Sequence, residues 1–217
     1  MLDYTAAHAP FPQAEVRLAV LMLALQAARD GAGNVTGQDL TGWLQGEAEP
    51  VLEQLVDAGW LRLPGTIAEA LASRPETPTA FTIPTLLPEQ PRPFPFRKTT
   101  CSRISGWAQK ALGDRKLRKK KLGATTRLLA LYTAAHTRPD GHLGPAKDDG
   151  LDLARTTAFC SLSPGQVAEH AELLITADWL SEAGVVEGHV NRIKVLTRQM
   201  FGRAGFSLLR KRVLLAT

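Results

Sequence analysis

Val56-Asp57-Ala58-Gly59-Trp60-Leu61 and Ile175-Thr176-Ala177-Asp178-Trp179-Leu180 are two versions of one hexapeptide, and the chain around them repeats as well. Each copy reads as the end of a helix that gives way to a short strand opening on Trp-Leu. Gly59 suits a helix C-cap, because only glycine enters the left-handed region without steric cost. Working back from the first copy, Leu52, Leu55 and Val56 share one helical face behind Pro50, a residue favoured in the first turn. Before that, Thr36 with Asp39 three residues on predicts a helix start, followed by Leu40, Trp43 and Leu44 on one side. Ala14–Ala28 (AEVRLAVLMLALQAA) predicts a first, strongly apolar helix that Asp30-Gly31 ends. Beyond Trp60, the segments 60–63 and 80–83 read as a strand pair around a loop of Gly, Pro and Ser. Gly31–Gly33 lacks the spacing of a dinucleotide signature and reads as a turn.

The second half follows the same plan. Residues 124–137 (ATTRLLALYTAAHT) predict an apolar helix and residues 151–162 (LDLARTTAFCSL) a second one. Ser163-Pro164-Gly165-Gln166 is a strong start for a third, with Ser163 as N-cap, Pro164 at the first position and Gln166 at the third. Trp179–Ser181 and Asn191–Leu196 supply the second strand pair.

Three helices with a short turn between the second and third, then two strands, resemble the winged helix-turn-helix, here present twice over about 14–84 and 123–198. The resemblance implies a mainly α fold with small β-hairpin wings, two winged helix-turn-helix domains and a basic linker helix between them. The boundaries it suggests are 1–90, 91–122 and 123–217. The winged helix commonly reads the major groove of DNA with its third helix, and also serves as a protein-binding module.

Charge is sorted along the chain. Residues 1–91 hold 4 Lys/Arg against 11 Asp/Glu, and residues 122–187 hold 4 against 9. Residues 92–121 hold 11 against 1, and residues 188–217 hold 7 against none. A net charge of +5 therefore conceals two acidic bodies and two basic segments. A basic run of this density reads as a footprint for a polyanion, the bland alternative being a solvated helix face. After Pro91, Pro93 and Pro95 the chain turns helix-forming, with Ile104, Trp107, Ala108, Ala111 and Leu112 on a packing side. Arg103, Lys110, Arg115, Lys116, Arg118, Lys119, Lys120 and Lys121 then point outward, as candidate contacts to the phosphates of double-stranded DNA.

The third helix of the first half carries Glu47, Glu49, Glu53 and Asp57 and no cation, which disfavours a DNA backbone. The acidic first domain is therefore expected to bind a protein partner or a second copy. In the second half Ser163, Gln166 and His170 stand near the helix start and are the candidate base readers, with Arg192 and Lys194 on the wing. The tail, with Met200, Phe201, Phe206 and Leu209 among basic residues, suggests a final helix.

Catalysis has little support. The five histidines are scattered, with no His-x-x-x-His or Cys-x-x-Cys spacing for a metal, and no phosphate loop or nucleophile elbow occurs. No enzyme activity, cofactor or metal is expected. Cys101, among basic residues, is a minor candidate for a low-pKa redox thiol, and Cys160 reads as core. No apolar run is long enough to span a bilayer, and the first residues lack a secretory pattern. Two distant cysteines suit a reducing compartment, so a cytoplasmic, nucleoid-associated protein is expected. The Ala-, Arg- and Gly-rich usage suits a bacterium of high GC content. The leading expectation is a transcriptional regulator; a protein-interaction scaffold with non-specific nucleic-acid contact and a plasmid replication initiator are the alternatives.

Overall fold

The computed structural model describes residues 1–89, 94, 96, 98–137, 143–144, 150–180 and 192–193. Within them the chain is mainly helical, with two small antiparallel strand pairs, and divides into two units, Met1–Lys110 and Ala111–Thr217. The first unit runs α1 (Leu2–His8), α2 (Ala14–Ala27), β1 (Ala32–Val35), α3 (Gly37–Leu44), α4 (Ala48–Asp57), α5 (Ile67–Ala72), β2 (Thr79–Thr82) and most of α6 (Lys98–Leu112). The second runs α7 (Arg115–Lys119), α8 (Ala124–Ala135), β3 (Leu151–Asp152), α9 (Leu153–Cys160), α10 (Pro164–Thr176) and β4 (Arg192–Ile193).

Helix α2 is mostly apolar and mostly buried, with Glu15, Arg17 and Gln26 half-buried: Leu18, Val20, Met22, Leu23 and Leu25 all lie in the core of the first unit. Around it pack α3, started by the Thr36–Asp39 capping box, and α4, which turns Val51, Leu52 and Leu55 inward. The core of the second unit is built the same way. There α8 buries Leu128, Leu129, Leu131 and Tyr132, and α10 adds Val167, Ala171 and Leu174 behind the Ser163–Gln166 capping box.

Both units contain the order helix, strand, helix, helix, strand, with the first strand paired to the last, and the first unit adds α5 before its closing strand. In the first unit Ala32 faces Thr82 and Val35 faces Thr79; in the second Leu151 faces Ile193 and Asp152 faces Arg192. The helix exits repeat bond for bond. Trp60 and Leu61 N–H both donate to the Leu55 carbonyl at 3.0 Å, while Trp179 and Leu180 N–H donate to the Leu174 carbonyl at 2.9 and 3.3 Å. Gly59 and Asp178 occupy the same left-handed position, at φ 68 and 58. The aspartate tolerates it because its short polar side chain is among the few that do. Trp60 is 6% exposed and Trp179 fully buried, so each indole fills its own core beside that turn.

Several expectations are corrected. The strand expected at 60–63 is reduced to a single bridge, Arg62 to Thr82, and the main partner of β2 is β1. Gly33, expected in a turn, lies within β1 against Phe81, where a side chain would collide with the aromatic ring. Residues 151 and 152 form β3 instead of opening a helix, and Trp179 and Leu180 are not in a strand. The loop expected after Leu63 holds α5, whose Thr66–Glu69 capping box satisfies two N–H groups at the helix start. Helix α1 carries no strong sequence signal; Tyr4 anchors it through a 2.8 Å bond to Thr85 and an edge contact with Phe94. The expected tail helix around Met200–Leu209, the strand residues beyond Ile193 and the Pro91, Pro93 and Pro95 linker positions lie outside the described residues.

The contact of α3 with α5 rests on one glycine. A Cβ on Gly37 would stand 1.8 Å from the Leu71 carbonyl oxygen, and the Gly37 N–H donates to Ser73 at 3.0 Å. Backbone on both sides leaves nothing to yield cheaply. Gly37→Ala should therefore destabilise the first unit by about 2–3 kcal/mol. Urea denaturation checks this, and an unchanged midpoint would contradict it.

Candidate nucleic-acid interface

The basic stretch is not one helix. Gly113-Asp114 breaks it, ending α6 at Leu112 and starting α7 at Arg115. The single linker helix expected from the sequence is thus corrected to two helices, with Arg103 and Lys110 in the first unit and Arg115–Lys121 in the second. The break has a local cause. Asp114 caps α7 by accepting the Lys116 N–H at 2.8 Å, a role that favours aspartate outside a helix. On α6 the expected packing side holds for Ile104, Ala108, Ala111 and Leu112, which are buried, while Trp107 is half-buried and Arg103 and Lys110 are exposed.

Helix α7 is short and faces two ways. Leu117 is fully buried and anchors it, while Arg115, Arg118, Lys119, Lys120 and Lys121 are exposed. None of these five is paired with a carboxylate among the described residues. Lys116 departs from expectation. It is half-buried, its ammonium lies 2.7 Å from an Asp178 carboxylate oxygen, and it also donates to the Asp178 carbonyl. The partner sits at the exit turn of α10, so Lys116 ties α7 to that turn. Lys121 ends the segment in the left-handed region at φ 50, an uncommon conformation for a residue other than glycine.

Beneath the segment lies a cation that sequence reasoning missed. Arg127, 3% exposed, donates through Nε to the Leu122 carbonyl at 2.7 Å and through an Nη to the Leu112 carbonyl at 3.0 Å. Burial lowers its pKa, and the neighbouring charge of Arg118 lowers it further. The signal was available: Arg127 is the one charge in the otherwise uncharged 124–137 segment.

The candidate base readers are drawn into local structure. Ser163 and Gln166 are exposed but bonded to each other, with the Gln166 side-chain Oε1 accepting the Ser163 N–H at 2.9 Å. His170 is half-buried, its Nδ1 within 2.9 Å of the Thr126 hydroxyl on α8. The rest of the outward face of α10 shows Glu169, Glu172 and Leu173, the last 43% exposed. On α4 the outward side chains Glu49, Glu53 and Asp57 are carboxylates, as expected. Arg192 pairs through its backbone with Asp152; its side chain and Lys194 lie outside the described residues.

Cys101 corrects the redox idea. The thiol is buried, and burial pushes its pKa up, the reverse of an activated thiolate. Cys160 is fully buried, as expected for core. Among the described residues no group of three or more His, Cys, Asp or Glu could hold a metal ion, and no helix is long and apolar enough to cross a membrane. Comparison with protein-family models, curated proteins and solved structures finds no match to this chain.

Proposed function

We propose that this chain binds double-stranded DNA through its phosphate backbone, as a tandem winged-helix regulator of transcription without a catalytic step. The observation that carries the reading is α7 and its exit. Five exposed cations crowd into seven residues, held in place by Leu117 and Lys116. Arg115 and Lys119 stand at like-charge i, i+4 positions, which destabilises an isolated helix. A polyanion offsets that repulsion and gains entropy by releasing counterions. The order of helix, strand, helix, helix and strand found in both units, with α5 added in the first and the first and last strands paired in each, supports the winged-helix part of the reading.

The second reading is the scaffold, and specific contacts favour it. Ser163, Gln166 and His170 all spend polar groups on the protein itself, and α4 and α10 both face outward with carboxylates. The two readings part on sequence discrimination. If α10 reads bases, Gln166→Ala should reduce the preference for a selected duplex over a random one by about 1–3 kcal/mol. His170→Ala is a poorer probe, because it also removes the bond to Thr126. Occupancy across the genome completes the test: discrete promoter peaks support the regulator, an origin peak the replication initiator, and a uniform background the scaffold. A wild-type chain that fails to bind any duplex at 50 mM salt overturns the proposal.

A further inference from the structure

We propose that Arg127 is the positioning residue of the cationic segment, closing residues 113–121 between the carbonyls of Leu112 and Leu122 into a preformed surface for a phosphate backbone. The inference rests on the reading of α7 as the phosphate contact and goes on to say how that contact is made. Leu112 is the last residue of α6, so its carbonyl is among those a helix end leaves without an internal partner. Leu122 is the first residue after the cationic segment. One guanidinium therefore holds both ends of the segment, using the rigid fork of donors that sets arginine apart from lysine.

The location is costly in two ways. A buried cation loses its hydration, and the neighbouring positive charge of Arg118 disfavours it further. An apolar side chain of similar volume would fill the space without either cost, but could not hold two carbonyls. The other tethers point to the same conclusion. Leu117 anchors the middle of the segment, and Lys116 spends its charge on Asp178 instead of presenting it to solvent. Inside the segment, Arg118 N–H bonds the Asp114 carbonyl at 3.1 Å, Lys121 N–H the Arg118 carbonyl at 3.0 Å and Leu122 N–H the Leu117 carbonyl at 3.3 Å. A surface ordered beforehand spares the loop and side-chain ordering that binding otherwise costs. The work is thus divided: Arg127 and Lys116 hold the segment, and Arg115, Arg118, Lys119, Lys120 and Lys121 meet the phosphates.

The test uses the full chain with two probes, a random-sequence duplex DNA and linear inorganic polyphosphate, each titrated across salt. Lys119→Gln should lower the salt slope on DNA by about 0.9, as one phosphate contact is lost. Lys116→Gln should leave the slope unchanged. Arg127→Lys keeps the charge but not the fork; it should weaken both probes roughly tenfold with the slope unchanged, because the same cations bind but must be ordered first. A purely structural role for Arg127 would leave the affinity of the folded variant within twofold of wild type, and that result overturns the proposal. Should Arg127→Lys fail to fold, hydrogen exchange on the free wild-type chain decides. The Arg118, Lys121 and Leu122 amides are expected to be protected before any ligand is added, and exchange at the unprotected rate overturns a preformed surface. If the wild type binds polyphosphate and not duplex DNA, the DNA reading falls while Arg127 is still judged on polyphosphate. Binding to neither overturns both.

Discussion

Replacing Arg118, Lys119 and Lys120 together by Ala is expected to weaken binding to random-sequence duplex DNA roughly a hundredfold at 0.15 M salt and to flatten the salt dependence by about 2.7. Each phosphate neutralised contributes about 0.9 to the slope of log affinity against log salt, so three lost contacts set the second figure. The first follows if the two proteins converge near 1 M salt, where counterion release contributes nothing. Selected and random duplexes should lose equally, since backbone contacts position the protein without reading sequence. Folding should be unimpaired. All three side chains are exposed, and removing Lys119 and Lys120 relieves like-charge pairs with Arg115 and Lys116. Lys116 is left out deliberately, because its charge is already held by Asp178. Binding titrations at four or five salt concentrations check the result; a triple variant with wild-type slope would make this face merely solvated and remove the main support for DNA binding.

The second large effect is on stability. Trp179 is the largest of the fully buried side chains and sits directly after the left-handed turn at Asp178. Trp179→Ala should destabilise the second unit by about 3–5 kcal/mol, through lost burial and the cavity left behind. A penalty of that size is comparable with the whole stability of a small domain. Amides of α8 and α10 should therefore exchange far faster, and urea denaturation should show a lower midpoint. Trp60→Ala is expected to act in the same way on the first unit, where Trp60 follows the equivalent turn. A loss below 1 kcal/mol for Trp179→Ala would mean that the indole is not the centre of that core.

Much of the architecture was written in local signals. The repeat of Val56–Leu61 in Ile175–Leu180, the Thr36–Asp39 and Ser163–Gln166 capping boxes and the apolar runs of α2 and α8 each depend on residues a few positions apart, which is why they are legible without the fold. The Thr66–Glu69 box that starts α5 is equally local, but the glycine and proline around it read as a loop. Charge sorting is likewise a property of the sequence alone, and it is enough to single out Arg115–Lys121 as a surface that repels itself.

What the sequence could not decide depends on partners distant along the chain. β1 exists because Ala32–Val35 meets Thr79–Thr82 across three intervening helices, and nothing in four short residues announces that pairing. His170 looked like a base reader until α8 brought Thr126 against it, and Lys116 looked like a phosphate contact until α10 brought Asp178 within 2.7 Å. Arg127 shows the same limit most plainly. Its position in a helix is readable from its neighbours, but its two carbonyl partners, Leu112 and Leu122, become adjacent only when α6, α7 and α8 have folded together. The sequence determined that cations are concentrated in this segment; the tertiary structure decided which of them are free to meet a ligand and which are consumed in holding the others in place, because a charge is assigned by the nearest opposite group in space and not by its neighbours in the chain.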